Sequence, residues 1–225
     1  MFTRFQYMLS LLRTDPVGGT IYILSFAAAI LIALILHEWA HGFVAYRCGD
    51  PTAKMMGRLS LNPAHHLDPV GTLCMVVFGI GWAKPVPVNP RNFRNYRRDD
   101  FLVSIAGILM NLTLFLLSTA LLVAIQNHVR YSAFMQYVYN FVYLLSSINL
   151  SLALFNLLPI PPLDGYHLVN DTLLKGRLQL NHQQFQVMQI ILIVVCLTGV
   201  LSNLLGSLHS AIYSAVLNLF YRMIP

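Results

Sequence analysis

Charged residues are scarce in this chain. Of its 225 residues, 10% are Asp, Glu, Lys or Arg and 57% are hydrophobic, whereas about 25% of the residues in soluble domains are charged. A chain of this composition cannot cover a water-facing surface, so we predict an integral membrane protein. The length suits one compact bundle, and residues 1–225 are expected to form a single membrane-embedded domain.

Cysteine pairs and a dispersed basic surface are also missing. The three cysteines form neither a C-x-x-C pair nor an even set, which gives no support to a disulfide framework. The net charge is +6, but five basic residues crowd into one loop between apolar stretches: Lys84, Arg91, Arg94, Arg97 and Arg98. This arrangement is typical of the positive-inside signal, so we expect no nucleic-acid partner.

Long apolar runs predict the membrane crossings. A helix needs about 20 residues to cross a bilayer, and four runs approach or exceed that length: 20–46, 101–126, 134–158 and 187–205. Residues 1–18 are mixed in character and are expected to form a helix at the membrane interface. The apolar tail, 207–222, is expected to be either a tilted crossing or an interfacial helix.

Two segments between these runs are expected to differ from simple crossings. Residues 69–83 are apolar but short, which favours a re-entrant element. In "GWAKPVPVNP", residues 81–90, three prolines forbid a helix, while "KPVPV" alternates like an edge strand. The predicted fold class is therefore all-α: a polytopic membrane helical bundle with a re-entrant segment and a short membrane-associated β element.

Basic residues also predict the orientation of the bundle. We expect the loops that carry most of them to face the cytoplasm in a multi-pass protein of the cell (inner or plasma) membrane. The first span then runs from outside to inside, with His37 toward its cytoplasmic end. Arg4 and Arg13 oppose an outside N-terminus, so the side of the N-terminus stays open.

The only glutamate of the chain, Glu38, lies between two histidines inside the first span, in the H-E-x-x-H sequence at residues 37–41. Residues four apart share a helical face, so the imidazoles of His37 and His41 can reach one metal ion, with Glu38 beside its open position. Zinc lowers the pKa of bound water to about 7, and a neighbouring carboxylate can take its proton. Ionisable groups inside a span are costly and usually functional, which disfavours a chance occurrence of the motif.

A catalytic zinc ion needs a third protein ligand, and no second glutamate exists. Asp164 follows prolines that unwind the end of the third span, and unwound backbone at membrane depth survives only in protein or beside a wet cavity. We therefore predict Asp164 as the third ligand, with His65, His66 and His167 as alternatives. The amide of Asn156 can donate either to an oxyanion or to exposed carbonyls at the helix break, and the residues alone favour neither.

Together these motifs resemble the site-2 protease family of intramembrane zinc metalloproteases. H-E-x-x-H within a span is followed by N-x-x-P-x-P-x-L-D-G at residues 156–165. The stretches "NPAHHLDPVGT" (62–72), "GWAKPVPVNP" (81–90) and "AGILMN" (106–111) resemble its compact prokaryotic members, and no segment is long enough for a PDZ domain between spans or a C-terminal CBS pair. The resemblance covers roughly residues 20–170.

The resemblance implies a zinc metalloendopeptidase with one Zn²⁺ per chain. His37, His41 and Asp164 would hold the metal, Glu38 would be the general base acting on metal-activated water, and Asn156 would assist the transition state. The substrate would be a membrane protein within the lipid bilayer, cleaved in or near a transmembrane helix in regulated intramembrane proteolysis.

Other interpretations and elements stay open. A zinc transporter or sensor could use the same ligands without hydrolysis, and a pseudoprotease scaffold would be expected to lack a ligand or the base. Gly107 and Asn111 resemble a Gly-x-x-x-Asn element of the family, but helix packing explains this pair equally well, so we do not assign it to catalysis. The sequence does not indicate the oligomeric state.

Overall fold

A computed structural model describes residues 2–68, 71, 84–130, 132–178 and 180–224, and most of these residues lie in helices. Two short 3₁₀ turns, Pro63–His65 and Pro90–Asn92, lie between the helices, and the described residues contain no β-strand. The helices are α1 (Phe2–Thr14), α2 (Pro16–Arg47), α3 (Thr52–Met55), α4 (Tyr96–His128), α5 (Ala133–Asn156), α6 (Asp164–Thr172), α7 (His182–Thr198) and α8 (Val200–Met223). The predicted all-α fold is confirmed.

Four helices, α2, α4, α5 and α8, are long and apolar enough to cross a membrane, so the predicted multi-pass architecture is confirmed. The C-terminal boundary is different from the prediction, because the run 187–205 is not one helix. Gly199 adopts a left-handed conformation with φ of 78° and ends α7, a conformation that glycine adopts without steric cost. The fourth helix of crossing length is therefore α8.

The centre of the bundle is formed by α2, α4 and α5, which pack against one another. Phe115 of α4 packs with Leu150 and Leu154 of α5 in an apolar cluster. One turn from Phe115, the hydroxyls of Thr119 and Ser146 lie 2.6 Å apart, and both side chains are fully buried. These two hydroxyls thus satisfy each other across the interface between α4 and α5.

The first helix folds back along the second. Asp15 separates α1 from α2, and its carboxylate caps α2 by accepting a hydrogen bond from the amide of Gly18 at 3.0 Å. Met8 of α1 then packs against Phe26 and Ala29 of α2. The helix predicted over residues 1–18 therefore ends at Thr14, and α1 rests on the bundle.

The predicted re-entrant element, residues 69–83, lies outside the described residues apart from Gly71. The predicted β element is not confirmed, because residues 84–89, which we call the 84–89 segment, have no regular secondary structure. Two of its residues are prolines, which cannot donate to a ladder.

Side chains and loop backbone hold the 84–89 segment in place of a partner strand. The amide of Lys84 donates to the carbonyl of His66 at 2.8 Å, and Arg58 donates to the carbonyls of residues 84 and 85 at 2.9 and 3.1 Å. At the other end, the amide of Asn89 donates to the buried carboxylate of Asp50 at 2.7 Å. Burial would raise the pKa of Asp50, but the hydrogen bonds that it accepts outweigh burial and lower it. The segment is therefore fixed along most of its length.

Candidate metal centre

Three side chains from two helices converge on one point in the bundle. His37 and His41 lie one turn apart on α2, and Asp164 is the first residue of α6. The two Nε2 atoms are 3.0 Å apart, and Asp164 Oδ2 lies 3.3 Å from Nε2 of His37 and 3.4 Å from Nε2 of His41. Both histidines are buried, and the three ligand atoms lie in direct contact with one another.

The dimensions of this triangle fit a tetrahedral zinc ion. With bonds of about 2.0–2.1 Å, neighbouring ligand atoms around zinc are about 3.3 Å apart, close to all three observed distances. Asp164 Oδ2 is buried and accepts no hydrogen bond from the residues described here. A buried carboxylate oxygen without a donor is costly, and a cation bound between the three atoms would remove that cost. In the described parts of the chain, this is the one such cluster of potential metal ligands.

The position of Asp164 depends on the break between α5 and α6. Residues 157–163 form turns instead of helix, as their prolines predict. At Gly165, a Cβ atom would lie 2.4 Å from the carbonyl oxygen of Leu157, so only glycine allows the chain to pass this close to the end of α5. The start of α6, and with it the carboxylate of Asp164, is thereby directed toward α2.

Helix α4 supports both imidazoles from behind. His41 Nδ1 lies 2.7 Å from the backbone oxygen of Val103, and His37 Nδ1 lies 3.1 Å from Oδ1 of Asn111. Between these positions, a Cβ at Gly107 would lie 2.4 Å from His41 Nε2. Residues 103, 107 and 111 are spaced by one turn and share a face of the helix.

We call His37, His41 and Asp164 together the metal group. Gly107 and Asn111 thus contact the metal group, a role that the sequence alone does not assign to them. The Gly-x-x-x-Asn spacing carried the signal, but the same pattern is typical of ordinary packing between membrane helices.

Glu38 is hydrogen-bonded to the 84–89 segment. The backbone amide of Val86 donates to Glu38 Oε2 at 2.8 Å. The Val86 side chain is buried over Gly42, where a Cβ would lie 2.9 Å from Val86 Cγ1. The half-buried carboxylate of Glu38, which follows His37 in the chain, is therefore oriented by the backbone of the 84–89 segment.

Asn156 is the last residue of α5, and its Nδ2 donates to the carbonyl oxygen of Leu152 at 3.1 Å. This contact is the helix-end pairing, one of the two uses that the sequence leaves open. The amide nitrogen carries a second hydrogen, which can donate to an oxyanion. That role stays a prediction.

The alternative histidine ligands lie outside the cluster of three. His66 is buried, with Nε2 2.6 Å from the backbone oxygen of Ser60. His167 Nδ1 lies 3.3 Å from Asp100 Oδ2, and the hydrogen bond to Asp100 raises the pKa of His167 although burial opposes this. Burial also raises the pKa of Asp171, and the Asp100 carboxylate raises it further, to about 7. His167 and Asp171 of α6 and Asp100 of α4 thus connect these two helices.

Comparisons with known proteins identify relatives that are named as zinc metalloproteases. The profile described as Peptidase family M50 matches residues 122–199. A Bacillus subtilis (strain 168) protein named "Putative zinc metalloprotease YwhC" is 41% identical over 193 residues, which is 85% of this chain and 88% of that protein. Two proteins are named "Putative zinc metalloprotease Rip2". Their matches cover 62% of this chain and 53% of their own length. They come from Mycobacterium tuberculosis (strain H37Rv), 33% identical, and Mycolicibacterium smegmatis, 32% identical. No solved structure matches the chain.

Proposed function

The chain belongs to the site-2 protease family of zinc metalloproteases, peptidase family M50, and from this membership we propose that it hydrolyses a peptide bond in or near a transmembrane helix of a membrane-protein substrate. It is a multi-pass membrane zinc metalloendopeptidase. The observation that carries the finer proposal is the triangle of His37, His41 and Asp164, together with Glu38, which follows His37 in the chain and accepts a hydrogen bond from Val86.

His37, His41 and Asp164 would hold the zinc ion, because three protein ligands and one open position are what a catalytic zinc site requires. Zinc, when bound, polarises the substrate carbonyl and makes water acidic enough to act as a nucleophile near neutral pH. The location of the ligands inside the bundle keeps bulk water away and strengthens every charge interaction in the site.

Glu38 would be the general base and then the general acid. Val86 is its hydrogen-bond donor among the described residues and uses Oε2, so we assign Oε1 to proton transfer. This oxygen takes a proton from the attacking water and returns it to the amine that leaves when the peptide bond breaks. The contact with Val86 fixes the carboxylate so that it does not have to be ordered at the moment of reaction.

Asn156 would stabilise the developing oxyanion through its second amide hydrogen. One N–H bond to Leu152 anchors the carboxamide at the end of α5, and the other is available for a substrate atom. The turn at 157–163 connects Asn156 to Asp164, so both groups belong to one continuous stretch of chain beside the site.

The substrate would bind as an extended chain beside the 84–89 segment. A helix hides its peptide groups in its own hydrogen bonds, so the substrate must unwind locally before it can be hydrolysed. The segment offers only part of a strand edge, because Pro85 and Pro87 have no N–H and Val86 gives its N–H to Glu38. The N–H of Val88 and the carbonyls that Arg58 does not occupy are the groups with which a substrate strand would pair.

The test is a Glu38→Gln variant of the purified protein, supplied with a membrane protein whose transmembrane helix is cut by the wild type. Glutamine keeps the acceptor for Val86 but cannot take a proton, so cleavage should fall by about 10²- to 10⁴-fold. Zinc content should stay at one ion per chain. Cleavage at the wild-type rate in this variant would remove Glu38 from the mechanism.

A further inference from the structure

The two zinc-binding imidazoles are supported by different acceptors on α4. His41 Nδ1 faces a backbone carbonyl oxygen, that of Val103, whereas His37 Nδ1 faces a side-chain oxygen, Oδ1 of Asn111. A backbone carbonyl is present whatever residue occupies position 103. The acceptor for His37 exists only because residue 111 is asparagine.

Asn111 is fully buried between the central helices. Its Oδ1 is used by His37, but its Nδ2 has no hydrogen-bond partner among the described residues. An unpartnered amide inside a membrane bundle costs free energy, and an apolar side chain would pack at the same position without that cost. Packing alone therefore does not explain an asparagine at this position, while a required acceptor for His37 does.

We propose that Asn111 is a positioning residue that fixes His37 as the Nδ1–H tautomer and so directs the Nε2 lone pair toward the metal. The carboxamide oxygen accepts the Nδ1 hydrogen at 3.1 Å, and a neutral imidazole with its hydrogen on Nδ1 has its lone pair on Nε2. Nε2 is the atom that faces Asp164 and His41.

Partners of this kind contribute to metal affinity. A hydrogen bond to the second nitrogen of a metal-bound imidazole fixes its ring orientation and raises its basicity, and loss of such a partner typically costs about 10- to 100-fold in affinity. Gly107 completes the arrangement, because the rings approach α4 to a distance at which a Cβ would clash with them. The inference rests on the ligand set of the proposed function, but not on cleavage of a substrate.

Zinc binding by the full-length protein in detergent tests the inference. The metal is removed by chelation and returned as zinc alone in competition with a chromophoric chelator. Asn111→Leu keeps the branched shape at Cγ but has no acceptor, so its Kd for zinc should rise by about 10- to 100-fold. Asn111→Asp keeps an acceptor and should bind zinc at least as tightly as the wild type.

Asn149→Leu is the matched control. Asn149 is also fully buried, and its amide donates to the backbone of its own helix, to Leu145 O at 2.7 Å. This variant should keep the wild-type affinity. An equal loss in Asn149→Leu and Asn111→Leu, or no loss in Asn111→Leu, would overturn the inference.

A spectroscopic measurement decides the question even where Asn111→Leu fails to fold. With ¹⁵N-labelled histidine, the nitrogen shifts of His37 in the zinc-free wild type and in Asn111→Asp should show the hydrogen on Nδ1. A hydrogen on Nε2 in the wild type would overturn the inference. His37→Ala separates the two levels of the argument: unchanged zinc affinity there would reject the ligand set itself, whereas lost affinity there with none lost in Asn111→Leu rejects only the role of Asn111.

Discussion

Gly107 is the position at which any side chain larger than hydrogen would prevent the metal group from assembling. A Cβ there would lie 2.4 Å from His41 Nε2 and 2.6 Å from His37 Cε1. Both neighbours are rings held by α4 itself, so neither can move away without loss of its own hydrogen bond. Close packing of the two rings on α4 and their use as metal ligands therefore both require glycine at position 107.

We expect Gly107→Ala to lose zinc affinity by at least about 10-fold, because displacing the rings has the same effect as removing a supporting partner. Gly206→Ala in α8 is the control, since no atom lies within 4 Å of a Cβ at that position. Alanine is the better helix former, so the control should be neutral or more stable by about 0.5–1 kcal/mol. Zinc titration and thermal unfolding of both variants check this, and tight zinc binding by Gly107→Ala would contradict the geometry.

Asn156→Ala is expected to separate catalysis from metal binding. Loss of one oxyanion donor typically lowers kcat by about 10²- to 10³-fold, while zinc affinity should not change, since Asn156 is not one of the three proposed ligands. Single-turnover cleavage and zinc titration of the same preparation provide both numbers. Unchanged kcat in this variant would leave Asn156 with the helix-end contact to Leu152 as its whole role.

At this scale, residues with rare chemistry could be predicted from the sequence and residues with common chemistry could not. His37, Glu38 and His41 are conspicuous in an apolar span, and Asp164 was reached through its prolines. The cluster of the two histidines with Asp164 agrees with that prediction. Asn111 was missed as a contact of His37 because one buried asparagine on a helix resembles ordinary packing until the opposite helix is known.

Among the structural elements, helix α6 matters most, because it begins with Asp164 and therefore sets the third corner of the metal group. Its hydrophilic contact with α4 involves the acidic pair Asp100 and Asp171 together with His167. Asp171 Oδ2 is buried, and Asp171 can form a hydrogen bond with the Asp100 carboxylate only when one of the two carries a proton. The contact that holds α6 in place is therefore sensitive to protonation.

The free energy of unfolding should fall as the pH rises from about 4 to about 7. Folding raises the pKa of Asp171 from 3.8 to about 7, because burial and the Asp100 carboxylate both favour the protonated form. Between these values the folded protein binds a proton that the unfolded chain has released, so this contribution is complete below about pH 4 and is lost as pH rises through about 7. His167, whose pKa is also raised, acts in the same direction.

The matched variant is Asp171→Asn, which resembles the protonated acid. Its melting temperature at saturating zinc should depend less on pH between 5 and 8 than that of the wild type, and at pH 8 it should equal or exceed the wild-type value. Parallel pH profiles of the two proteins would show that Asp171 does not titrate in this way.

Element boundaries show where sequence reasoning stops. Three of the four helices of crossing length, α2, α4 and α5, lie where hydropathy predicts them. The fourth, α8, covers the tail 207–222, for which the sequence left a crossing and an interfacial helix open. The span predicted at 187–205 is wrong, because a hydropathy window cannot see that Gly199 ends a helix inside an apolar run. The alternation in "KPVPV" predicted a strand, but alternation describes one chain, and a strand also needs a neighbour with free donors and acceptors.

For the molecule as a whole, the loops that carry most of the basic residues lie at the end of the bundle toward which His37, His41 and Asp164 also lie. The backbone of Arg94 bonds to that of Cys48 directly after α2, and Gly176 lies beside the Arg97 side chain. The loops after α2, before α4 and after α6 therefore meet at one end. His41 is six residues from the end of α2, or about 9 Å along the axis. At the opposite end, Asn127 near the end of α4 donates to the carbonyl of Ile224.

The basic end should face the cytoplasm, since Lys and Arg near membrane spans are retained on that side. Single cysteines placed in a cysteine-free background can report the orientation. Met55 of α3 is 80% exposed at the basic end, and Phe134 at the start of α5 is 71% exposed at the other. A membrane-impermeant maleimide added to intact cells should label Phe134→Cys at once and Met55→Cys only after permeabilisation. Both variants must retain zinc binding. Labelling of Met55→Cys in intact cells, with Phe134→Cys protected, would place the metal group near the outer face of the membrane. Substrates would then be cut near that face instead of the cytoplasmic one.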